Sequence, residues 1–164
     1  MYTFQVSAVL DIVRLGISSA LAVAGESAWV VPLAFPLRPW AVDIGLLPLT
    51  LVEVRSITVD RDAGPASLLL SCAATVHHVR RRQPDMGAES VCLARLGAIA
   101  AAVENDPRLL GVGGDSVPVH EAMAMSILVG TQSRLQQELT AAGQEGSLAA
   151  ASLDLIVRWY EKAG

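Results

Sequence analysis

The chain has 164 residues, enough for one domain, with 52% hydrophobic and only 17% charged side chains and a net charge of −4. That balance argues against a general nucleic-acid binder. It also carries more apolar surface than a small domain can hide, so some of it is expected to meet a partner.

Along the chain, Val6, Val9, Leu10, Val13, Ile17, Ala20 and Leu21 fall at the spacing of one helix face, and Gly25 is a natural stop. Asp11 and Arg14 sit in the middle of this stretch, which makes it a poor membrane span. The opening residues 1–5 lack the basic segment of a secretion signal. Residues 28–33 read as a short edge strand, followed by a proline-punctuated extended loop with Phe35 and Trp40.

Residues 49–59, rich in β-branched side chains, predict a strand, and 60–65 a turn. The next run alternates, with Leu68, Leu70, Cys72, Ala74 and Val76 on one side and Ser67, Ser71, Thr75 and His77 on the other. It pairs with its predecessor as a long antiparallel hairpin, half-buried. Cys92, Leu96, Ile99 and Val103 mark a second helix stopped by Asp106-Pro107, and 111–116 is a glycine-rich loop. Residues 123–129 lean towards strand, and 134–142 form a short polar helix capped by Gly143. Alternation of Leu153, Leu155, Val157 and Trp159 with polar neighbours gives a closing strand. The expectation is one α+β domain over 1–164: an antiparallel or mixed sheet with a long β-hairpin, and helices packed mainly on one face.

The search for chemistry yields little. Cys72 and Cys92 lack metal-site spacing and read as buried thiols, which suits a cytoplasmic setting. Residues 110–116 lack the lysine of a phosphate loop. Gly114-Asp115-Ser116 is similar to the nucleophile block of small serine hydrolases, but His120 lies too near in sequence to be the usual base. His77 and His78 point to opposite faces of a strand, one expected at the surface and one semi-buried, so they do not clamp a metal together. Carboxylates are scattered. No catalytic, cofactor-binding or metal-ligating residue is assigned. The one concentrated charge is Arg80-Arg81-Arg82 at the hairpin end. It reads as a solvated strand end, a subunit contact or a basic collar against DNA phosphates.

The order of segments resembles the tail-terminator or tail-completion proteins of long-tailed phages. The likeness is carried by the opening helix (6–13), by Pro36-Leu37-Arg38-Pro39-Trp40-Ala41-Val42-Asp43-Ile44 running into the first long strand, and by the hairpin followed by the helix 90–104. The closing strand 152–161 completes it. Residues 111–132 depart from that pattern. The resemblance implies a structural virion protein without catalytic residues or cofactors. It would form a homo-oligomeric ring, a hexamer, that ends the tail tube and meets the head-side connector, with DNA passing through the lumen unread. Trp29, Phe35 and Trp40, with Arg80, Arg81 and Arg82, are then the candidate interface or DNA-facing residues. Other readings are a head-side neck protein of the same particle, a small ligand-binding domain with a pocket near Met123 and Met125, and a serine hydrolase using Ser116 and His120.

Overall fold

A computed structural model describes residues 4–25, 29–33, 47–61, 67–83, 87–113 and 118–162, with only the backbone path for 29–33. Helix α1 (Val6–Val23) buries Val9, Val13, Ile17, Ala20 and Leu21, the stripe expected from spacing. Its mean hydropathy of 1.8 over 18 residues would suit a membrane span by length and composition. Here that stripe belongs to the main core. Gly25, at φ +86°, adopts the left-handed conformation that ends helices without steric cost.

Strands β1 (Trp29–Leu33), β2 (Leu49–Asp60), β3 (Ser67–Arg81), β4 (Val119–Leu128) and β5 (Leu148–Lys162) form one sheet in the order β1-β2-β3-β5-β4. β2–β3, β3–β5 and β5–β4 pair antiparallel, and β1 lies parallel on the β2 edge over Leu49 to Glu53. The expected hairpin is present, with a bulge between Val54 and Ser56. The fold is α+β.

Helix α2 (Ala88–Asn105) buries Cys92, Leu96, Ile99 and Val103 against the sheet. Leu68, Leu70, Cys72, Ala74 and Val76 of β3 and Leu153, Leu155, Val157 and Trp159 of β5 meet both long helices in this main core. The alternation read from sequence is therefore the inward face of the sheet. Part of the expected glycine-rich loop instead makes a single helical turn, α3 (Leu110–Gly113). The Asp106 carboxylate caps it, accepting the Leu110 and Gly111 N–H groups at 3.2 and 2.9 Å.

Helix α4 (Arg134–Ala141) is the exception to the one-sided helix layer. Leu135 and Leu139 join Leu49, Leu51, Val79, Leu148 and Ala150 in a second, smaller core. By strand alternation these residues lie on the opposite sheet face from the main core. That second cover corrects the expectation for the histidines, because both His77 and His78 are fully buried, one on each face. β3 is thus half-buried only towards Ser67 and buried on both faces from Ala74 to Val79.

Candidate functional site

The arginine triplet ends β3, and strand geometry sends neighbouring side chains to opposite faces. Arg80 is half-buried, with Nη1 3.5 Å from His78 Nε2, while His78 Nδ1 lies 2.9 Å from Thr50 Oγ1. Arg81 is exposed. Arg82 ion-pairs with Glu89 at the start of α2 and donates to the Leu148 carbonyl at 3.2 Å. The Arg82 hydrogen bond holds the Glu89 carboxyl below its ordinary range. Arg82 therefore ties the hairpin end, α2 and the approach to β5 together. Its charge is locally compensated, so the triplet is not a uniform basic patch.

Trp29 is placed by its backbone in the edge strand β1. Phe35, Trp40 and Ser116 lie outside the described residues. His120 is exposed on β4 and packs edge-on against the Tyr160 ring, with centroids 5.0 Å apart. Met123 is half-buried, Met125 exposed, and neither lines the two grooves described below.

The structure does bring together a polar set that sequence reasoning missed. On the α4 side of the sheet, register places Leu51 opposite His77, Glu53 opposite Thr75, and His77 opposite Ser152. His77 Nδ1 sits 2.7 Å from Ser152 Oγ, and that oxygen is 2.7 Å from Ser133 Oγ. Ser133 is the N-cap of α4 and accepts the Gln136 N–H at 3.3 Å. His77 Nε2 faces Glu53 Oε1 at 3.8 Å, beyond hydrogen-bonding reach, and the other Glu53 oxygen accepts from Arg134 in the first turn of α4. With Ser133 donating to Ser152 and Ser152 donating to His77 Nδ1, both short contacts are satisfied, and the Nε2 side of the ring is left without a hydrogen-bond partner, facing Glu53.

Serine, histidine and carboxylate in this order are the parts of an activated nucleophile. Access decides against that use. Ser152, His77 and Ser133 have no exposed surface and Glu53 almost none, since α4 lies over them with Arg134 across Glu53. A substrate carbonyl cannot reach Ser152 while α4 is in place. The set works as a polar clasp holding α4 to the sheet. Its sequence signal was faint: Glu53, His77 and Ser152 each share a strand face with apolar i±2 neighbours, namely Leu51, Val79 and Ala150.

Two grooves open on the surface. One, of about 530 Å³, runs between α1, α2 and α3 and is walled by Ile17, Ala20, Ile99 and Ala102, with Leu155 and Val157 at its floor. The other, of about 720 Å³, lies beside α4 and reaches Ala150 and Ala151 of β5. There β4 has ended, its Leu128 pairing with Ser152, and the Ala150 N–H is taken up by Gln136 Oε1 at 3.0 Å. Among the described residues no three His, Cys, Asp or Glu side chains are grouped to hold a metal. Compared with known proteins, the chain matches no family model and no curated protein.

Proposed function

We propose that the protein is a structural subunit of a homo-oligomeric ring, the terminator of a phage tail tube, standing between the tube and the head-side connector. The observation that carries this reading is where apolar surface is left exposed. Leu15 and Val23 on α1, Leu93 on α2, and Met125, Ile127 and Val129 at the β4 end all face outward, and Val23 also lines the apolar groove between the helices. Scattered singly such residues need no explanation, but a run of three with a groove favours a binding surface. The element order (helix, edge strand, long hairpin, helix, closing strand) agrees with the resemblance of the sequence to tail terminators. The Ser152–His77–Glu53 set is sealed beneath α4, so it offers no accessible nucleophile.

In the ring, Arg81, the exposed member of the triplet, would face DNA phosphates or a neighbouring protein. Light scattering on the purified protein tests the reading. Closed multimers, seen as rings by negative-stain microscopy, are expected. A protein that stays monomeric at high concentration and is missing from purified phage particles overturns it.

A further inference from the structure

We infer that the C-terminal half of β2 takes up a strand from another protein. Ser56–Val59 is an open sheet edge, and its occupant is an extended peptide with apolar side chains at alternate positions and a carboxylate at one end. This contact stands apart from the ring reading and does not depend on it.

The edge is bare because β1 is too short to cover it. β1 ends at Leu33, opposite Glu53, while β2 runs on to Asp60. Past the bulge after Val54, β2 keeps an unbroken register with β3, from Ser56 opposite Ala73 to Asp60 opposite Leu69. One side of this segment is therefore a fixed ladder. Its other side has no strand beside it among the described residues, and every residue from Arg55 to Asp60 is exposed. On such an edge the N–H and C=O groups that point away from β3 are a template for another backbone.

Elsewhere the sheet blunts its edges. On the outer edge of β4, Ala122 N–H is bonded to the Pro107 carbonyl at 2.6 Å and Ala124 N–H to Glu104 at 3.0 Å. Where β5 outruns β4, Gln136 holds the Ala150 N–H. β1 carries Pro32, which has no N–H to offer a further strand. Ser56–Val59 has no such device. It contains no proline and no charged side chain, and among the described residues nothing outside the β2–β3 ladder is hydrogen-bonded to its backbone.

The side chains of the edge define the occupant further. Cross-strand partners share a face, so Ile57 opposite Cys72 and Val59 opposite Leu70 stand on the helix side of the sheet, still 38% and 37% exposed. Ser56 and Thr58, opposite Ala73 and Ser71, face the other way. An incoming strand covers Ile57 and Val59 when its own apolar side chains fall at alternate positions, and its remaining side chains then meet hydroxyl groups. Just past the segment lies Arg61, exposed and without an ion-pair partner among the described residues. A carboxylate on the occupant would answer that charge.

The test uses a short fluorescein-labelled peptide of alternating threonine and valine that ends in aspartate, and the same peptide N-methylated at every second amide so that it cannot complete a ladder. Fluorescence anisotropy is expected to show binding of the unmethylated peptide alone. Hydrogen exchange is then expected to slow at amides within 56–59 and not along β4. Ile57→Lys with Val59→Lys, both at exposed positions, should abolish binding. Arg61→Ala should weaken it by about two- to fivefold, the size of an exposed ion pair. Circular dichroism melting checks that each variant is folded. Equal binding of the methylated peptide, protection at a different strand, or no binding at all overturns the inference. So does self-association of the protein that the Ile57→Lys, Val59→Lys variant abolishes, because the edge would then belong to a second copy.

Discussion

At the residue scale, Glu53 shows what a buried charge requires of its neighbours. It is almost fully buried on β2, with a guanidinium on one oxygen and an imidazole facing the other. Arg134→Ala would leave that carboxylate without its hydrogen-bonded partner, and breaking such a pair costs about 1–3 kcal/mol. Urea denaturation should show that loss, whereas Arg55→Ala, at an exposed pair 3.7 Å from Asp154, should cost well under about 1 kcal/mol. Cys72 offers a second test. Burial pushes its thiol from 9.0 up to about 11. The folded protein should therefore resist alkylation at mildly alkaline pH and yield both thiols only after denaturation. Because the folded value is raised, the stability linked to this group is whole below 9.0 and lost as pH climbs towards 11. Denaturant midpoints measured across that window should fall with pH, and a Cys72→Ala variant should lose that part of the slope.

At the scale of elements, α1 begins without a side-chain cap from its own N-cap residue, Gln5. The cap comes from the other end of the chain: Glu161 on β5 accepts the Gln5 N–H at 2.6 Å and the Trp159 indole N–H at 2.8 Å. A carboxylate there also faces the positive end of the helix dipole. Glu161→Ala should lower stability by about 1–3 kcal/mol through the two stranded donors. It should also speed amide exchange in the first turn of α1 more than at its C-terminal end. Nothing local in the sequence signals this long-range cap. What local pattern does signal is recovered well. The α1 stripe, the α2 face of Cys92, Leu96, Ile99 and Val103, and the inward row of β3 all follow from periodicity, because each packs one side on a single core. The clasp under α4 was illegible for the opposite reason. Whether His77 meets solvent depends on which later element returns over that face, and α4, with two buried leucines among polar residues, reads on its own as a surface helix. Arg82 was misleading in the same way, since its partner Glu89 belongs to the next element, α2, and the run of three arginines looked like one patch.

At the scale of the whole molecule, the sheet has two unequal covers: the long helices across one face, and α4 over part of the other. Beyond α4 the second face carries the Arg158–Glu121 pair, the Arg55–Asp154 pair and the exposed Tyr160, a polar surface of ordinary kind. The apolar features sit instead at the helical layer and the β4 end. Charge follows a third distribution. Of the 12 basic side chains only Arg38 falls outside the described segments, against five of the 16 acidic ones: Glu26, Asp43, Asp62, Asp85 and Asp115. The described residues are thus electrically balanced, and the net −4 belongs to the connecting segments.

That net negative charge, beside the exposed apolar side chains, gives the molecule an ionic dial. Two copies approaching in dilute buffer feel their like charge before their apolar surfaces touch, over a Debye length of about 10 Å at 0.1 M salt. Added salt shortens that reach and leaves the apolar attraction intact. Association of this protein should therefore strengthen as ionic strength rises. In dilute solution it would stay dispersed until an oppositely charged neighbour, or a crowd of its own kind, tipped the balance.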